Sequence, residues 1–269
     1  MQAVRQEFFK SFHRLNYLVY SLIIFFTPVL ALIAYYLTDP KHAEVDYVFH
    51  HGYFDAFIFI FMLVSFGSIL AEEFQFDTIK VIASRGNSRI SIFISKIIKL
   101  VFDYVFWYLI ATVSYLLSWL LGFAGKDFGK TVSLGNKGMY LSDGNASEFT
   151  FLWHNFITYL LYIFLIGAIA LMISSFLKSN AIAIASAFII WLAGNIVSAL
   201  LMNFLYKHIH LIKWNPFNVS QYTPYQTFSN AKEWTLMSHL SQTDIISASI
   251  IWTIIFFAIA GTVFSRRNL

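Results

Sequence analysis

The chain has 269 residues, of which 58% are hydrophobic and 12% charged, with 30 Phe, 15 Tyr, 7 Trp and no Cys. A soluble domain carries about 25% charged residues, so this apolar surface exceeds what one globule can hide and the bilayer must serve as part of the solvent. The missing cysteine excludes disulfides, thiolate metal sites and thiol nucleophiles, and a formal net charge of +4 is too modest to imply a nucleic-acid partner.

Residues 1–16 predict an amphipathic helix lying in the membrane interface. Phe8, Phe12 and Leu15 recur at i, i+4 and i+7 with Phe9 beside them, while Arg5, Lys10 and Arg14 lie off that face, which places the aromatics at the headgroups. The apolar run that follows, 17–37, is too long for a signal peptide and no A-x-A site follows it, so it is expected to stay. Five further runs of spanning length occur at 53–71, 97–122, 151–177, 181–203 and 245–264. A helix needs about 20 apolar residues to cross the hydrocarbon, and the runs lack the alternation of barrel strands. The predicted fold is therefore all-α: one polytopic domain over 1–269 with six transmembrane helices, an N-terminal interfacial helix and short outer-face helices before the last span.

Between the first two spans, His42, Glu44, Asp46, His50 and His51 gather within ten residues. Such a group has the ligand types of a Zn²⁺ site, yet no HExxH pattern is present and short polar loops collect these residues, so no metal is expected. His208 and His210, two apart, read as interfacial polar residues, and His154-Asn155 as a polar pair at a helix end.

After the second span comes a charged segment, 72–89. Glu72 and Glu73 close the span. Phe74, Phe76, Ile79 and Ile82 then set apolar groups beside Asp77, Lys80 and Arg85, Gly86-Asn87 marks a turn, and Ser88 is placed to cap the next helix, which carries Arg89, Lys96 and Lys99. A short amphipathic helix of this kind suits a groove on another protein; an ordinary charged loop at the basic face of the membrane is the competing account. In the third span, Lys99 and Asp103 are four apart and predict an ion pair on one helix face. Ser114, Ser118 and Gly122 predict a close helix contact.

Residues 123–150 are rich in Gly, Ser, Asn and Asp and predict turn structure. The fourth and fifth spans, joined by Lys178-Ser179-Asn180, predict a tight antiparallel hairpin. Asn195, near Gly194 and Ser198, either bonds across helices or lines a path, with packing the default. Residues 204–244 are aromatic and broken by Pro216 and Pro224, which predicts an outer-face cap with Trp214, Pro216, Phe217, Tyr222 and Trp234 at headgroup level; were the spans to line a path, these residues would be its outer gate. Eleven Lys and Arg fall in segments on the side of the N-terminus and seven on the other, in longer segments, so both termini are expected in the cytoplasm.

The order Glu73, Thr78-Ile79-Lys80, Arg85, Ser88-Arg89 and Lys96 resembles the ABC-2 type permeases, the six-span membrane subunits of ATP-binding-cassette exporters. Asp77 and Gly86 depart from the Gly and Pro that many members of that family carry. The interfacial helix, the six spans, the hairpin and Asn215-Pro216-Phe217 extend the resemblance over the chain. It implies that 72–89 is a coupling helix seated on a separate cytosolic ATPase through Glu72, Glu73, Phe74, Phe76, Asp77, Thr78, Lys80, Arg85, Ser88 and Arg89. It further implies a second permease, as homodimer or heterodimer, membrane lipid around the pair, and a bacterial cell membrane. The chain has no G-x-x-x-x-G-K-[ST] pattern, so ATP and Mg²⁺ are expected on the partner, and no catalytic, cofactor or metal residues are expected here. The implied cargo is an amphipathic or antimicrobial peptide, as in the peptide-antibiotic and lantibiotic-immunity group, or a lipid-linked or drug-like molecule. A membrane-embedded enzyme would need GxSxG, HExxH or paired intramembrane aspartates. A motor-free channel would not need the 72–89 segment.

Overall fold

The computed structural model describes residues 2–38, 53–76, 88–118, 120–121, 148–224 and 236–267. Among them the long elements are helices, as predicted: α1 (Gln2–Phe12), α2 (Leu15–Thr38), α3 (Tyr53–Gln75), α4 (Arg89–Ser118), α5 (Glu148–Phe176), α6 (Asn180–Leu205), a 3₁₀ turn at His210–Trp214, α7 (Pro216–Tyr222) and α8 (Gln242–Arg266). Six have spanning length and apolarity: α2, α3, α4, α5, α6 and α8, with mean hydropathy from 1.7 to 2.5. The protein is a multi-pass, all-α membrane protein.

The span boundaries move where charge is buried. The third span, predicted from 97, begins as a helix at Arg89, because Lys96 turns into the protein and Arg89 binds backbone. At the α5–α6 hairpin the expected turn is present. Ser179 caps α6 by accepting from the Ile182 amide, which satisfies one of the orphan donors of a helix start.

The chain divides into two compact units. The first comprises residues 1–62 and 91–130. Here α1 lies on α4. Phe8 meets Phe102 edge to face at 4.5 Å, and Phe12 reaches Phe102 and Phe106. The predicted headgroup face is therefore divided: Phe8 covers α4, while Phe9 and Phe12 remain largely exposed. The cause is Glu7, whose neighbour on α4 is a lysine, so α1 turns that edge inward. Tyr20 stacks on Phe61 at 4.1 Å, Tyr17 packs on Trp107, and buried Ser114 donates to the Phe25 carbonyl at 2.7 Å. This is the close α2–α4 approach the serines predicted; Gly122 lies outside the described residues.

The second unit comprises residues 63–90 and 131–269, so α3 runs through both. Its axis is α5, with α8 packed along it. Phe66 fills the space left by Gly167, where an added Cβ would come within 2.4 Å of the Phe66 ring. Phe66 also meets Phe164 edge to face at 5.3 Å. Gly67 lets α3 approach the backbone of α6 at Ile184. The remaining faces of α6 and α8 are apolar and exposed, as suits helices whose outer surface lies in hydrocarbon.

Candidate functional site

The second unit has two ends with different chemistry. At one, α3, α5 and α8 finish and α6 begins, and two arginines close the helix ends. The last carbonyls of a helix lack intrahelical donors and carry partial negative charge. Arg89 Nη1 donates to the carbonyls of Ser265 and Arg267 at 2.8 and 2.7 Å, capping α8. Arg267 Nη1 donates to the carbonyls of Ser175 and Leu177 at 2.7 and 3.1 Å, capping α5. The Arg267 guanidinium also sits 3.9 Å over the Phe74 ring, a cation–π contact, and its partial burial lowers its pKa from the ordinary arginine value. Phe74 packs on Phe264. Gln75 Oε1 accepts from the Asn180 amide at 2.8 Å, and Ser174 Oγ accepts from the Ala71 amide at 3.0 Å.

Of the residues predicted to contact an ATPase, Asp77, Thr78, Lys80 and Arg85 lie outside the described residues. Glu73 is buried at 4% exposure, Glu72, Phe74 and Arg89 are half-buried, Ser88 is exposed and Phe76 is 62% exposed. The residues on either side of 77–87 are thus fastened to the fold: Phe74 and Gln75 to Arg267 and Asn180, Arg89 to the end of α8. The sequence counts Arg267 only as a basic residue beyond the last span. The one signal of its role is its place directly after an apolar helix, where a cation suits a neighbouring C-terminus.

At the other end, the chain after α6 folds back onto the bundle. Asn215 caps α7: its Oδ1 accepts from the Asn218 amide at 2.8 Å and from Ser198 Oγ of α6 at 2.9 Å. Pro216 occupies the first turn, where its missing N–H costs nothing. Phe217 lies over Gly194, where a Cβ would come within 2.3 Å of its ring. Trp252 Nε1 donates to the Trp214 carbonyl at 2.8 Å, and Thr223 and Ser249 share a hydroxyl bond. Val219 is buried among Leu165, Leu240, Ile245 and Ala248, with Trp214, Tyr222, Trp252 and Phe256 packed around them. Trp234 lies outside the described residues. Asn195 donates to the Trp191 carbonyl of its own helix at 2.7 Å. The bond across helices is made by Ser198, one turn on.

The first unit carries buried charge. Lys96 Nζ meets Glu7 Oε1 at 2.8 Å, with side chains 2% and 6% exposed, and Lys10 stands 3.7 Å from the same oxygen. Lys99 and Asp103 form the predicted pair, with Asp103 buried. Sequence reasoning missed the Glu7–Lys96 pair because its members are 89 residues apart. Among the described residues no group of three or more His, Cys, Asp or Glu converges as metal ligands; the 42–51 group lies outside them.

The basic end holds the flanks of 77–87 by directed hydrogen bonds to helix termini. The same two helices also hold the folded-back cap, α8 near its start at Ile245 and Ala248 and α5 in mid-helix at Leu165.

Compared with known proteins, the chain matches the family described as "Protein of unknown function (DUF2705)" over residues 32–269. It is also similar to YhcI of Bacillus subtilis (strain 168), described as an uncharacterized protein. That protein is 24% identical over 237 residues, covering 86% of this chain and 71% of YhcI.

Proposed function

We propose that this chain, a member of the DUF2705 family, is the membrane-spanning permease subunit of an ABC-2 type exporter driven by a separate ATPase. The observation that carries the proposal is the pair of arginine caps beside residues 77–87. Phe74 on one flank and Arg89 on the other are tied to the ends of α5 and α8. A push on 77–87 would therefore act on two helices at once. Along α5 the distance from Ser175 to Leu165, the residue that packs on the cap, is about 15 Å, so one helix contacts both the arginine cluster and the Trp214–Tyr222 segment. A solvent loop placed only by charge would need no such anchoring.

In this account ATP and Mg²⁺ are held by the partner, and the chain itself is not an enzyme. Two permeases pair across a path in the bacterial cell membrane, with both termini in the cytoplasm. Phe76, Glu72 and the residues of 77–87 face the ATPase. Glu73 and Arg89 set the position of that surface. Trp214, Phe217 and Tyr222 close the outer side. The cargo is an amphipathic or antimicrobial peptide, the class implied by the resemblance in the 72–96 region; lipid-linked or drug-like molecules are the alternative. The test is ATP hydrolysis by the purified assembly with and without Phe76→Ala plus Arg85→Glu. Loss of assembly or of stimulated hydrolysis, with insertion intact, supports coupling; unchanged hydrolysis reduces 72–89 to a basic loop.

A further inference from the structure

Where α5 and α8 end side by side, a cavity of about 380 Å³ opens, lined by Ser175, Phe176, Thr262, Val263, Arg266 and Arg267. Its polar wall is cationic. Arg267 is committed to the α5 carbonyls and the Phe74 ring, whereas Arg266 is exposed. Among the described residues no carboxylate pairs with either arginine, so none offsets the positive charge of the cavity.

Phe176 and Val263 give the cavity an apolar side, and an exposed stripe of α8 runs on beyond its lining. From Arg266, α8 descends through Thr262, Ile259 and Ile255 in steps of three and four residues, which sets them on one helix face. All are exposed, Ile259 at 38%, and Phe176 at 56% flanks the mouth. Arg266 ends a helix of spanning length, so it belongs at the boundary between hydrocarbon and water. The eleven residue steps from Arg266 to Ile255 rise about 16 Å, close to half the ~30 Å hydrocarbon thickness. That is the depth of one leaflet.

We propose that this cavity is a binding site for an anionic phospholipid, with its phosphate against Arg266 and an acyl chain along Ile259 and Ile255. Basic pockets between spans bind anionic headgroups in this way. A free phosphate would engage the arginine alone, whereas a phospholipid engages the arginine and the apolar stripe beside it together. The site stands whether or not the chain couples to an ATPase.

The test uses the full chain in detergent, with bound lipid read by native mass spectrometry after titration with phosphatidylglycerol, phosphatidylcholine or inorganic phosphate. Phosphatidylglycerol is expected to be retained over phosphatidylcholine by about fivefold, the equivalent of ~1 kcal/mol per basic side chain. Arg266→Gln is expected to abolish that preference, and Arg266→Lys to keep most of it. Equal retention of the two lipids, or an unchanged preference in Arg266→Gln, overturns the proposal. Displacement of phosphatidylglycerol by equimolar inorganic phosphate overturns the lipid assignment in favour of a free anion. If Arg266→Gln elutes as misfolded protein, the three-ligand comparison on the native chain decides alone.

Discussion

Lys96 and Glu7 meet at 2.8 Å with almost no access to water, and the physics of such a pair is asymmetric. Both charges have been desolvated, so the pair adds little net stability, but removing one partner takes from the other its nearest counter-charge, with Lys10, 3.7 Å away, the weaker cation left to Glu7. Lys96→Met or Glu7→Gln is expected to destabilise the protein by about 1–3 kcal/mol. The double change Lys96→Met with Glu7→Leu is expected to recover most of that loss, measured as denaturant unfolding in detergent; equal loss in the double variant would show that the pair is not the cause. Gly194 gives a second residue-scale test. Gly194→Ala forces its methyl into the Phe217 ring, an overpacking cost of about 1–3 kcal/mol. Phe217→Ala should remove that cost, so a double-mutant cycle is expected to show coupling of at least ~1 kcal/mol. Additive effects would place the ring elsewhere.

At the scale of elements, much was readable because it is local. Six apolar runs of spanning length, the three-residue turn before α6 and the Lys99–Asp103 pair depend on neighbours within one or two helical turns. The remainder depends on partners far along the chain. Nothing near Glu7 announces Lys96, and nothing near Arg267 announces the end of α5, 92 residues away for Ser175. Asn195 was ambiguous because its own helix offers a carbonyl as good as any neighbour's. The arginine caps carry an element-scale prediction. Arg267→Ala frees the α5 carbonyls and the face of Phe74, so amide hydrogen exchange at residues 174–180 should accelerate by tenfold or more, as expected from losing about 1.5–3 kcal/mol of charged hydrogen bonding. Exchange at the α7 cap should be unchanged. Uniform acceleration throughout would mean that Arg267 supports the whole fold. Arg89 caps α8, so its reversal would disturb the helix end as well as any docking surface; Phe76 and Arg85 are the cleaner probes of docking.

For the whole molecule, two features define the account: a basic end with anchored flanks around 77–87, and an opposite end closed by a segment that returns to the bundle. The cap segment is covered by Leu165, Ile245 and Ala248, so replacing Trp214 and Phe217 together by Ala is expected to raise leak through the membrane while leaving ATPase docking intact, measured by dye or ion flux in proteoliposomes. The central claim is that an external ATPase engages the other end. The most direct measurement is affinity purification of the tagged chain from its native membrane, followed by an ATP hydrolysis assay of what co-purifies. A co-purifying nucleotide-binding protein is expected, with hydrolysis that is lost when the bait carries Phe76→Ala and Arg85→Glu. Recovery of the intact chain with no nucleotide-binding partner and no hydrolysis would contradict it.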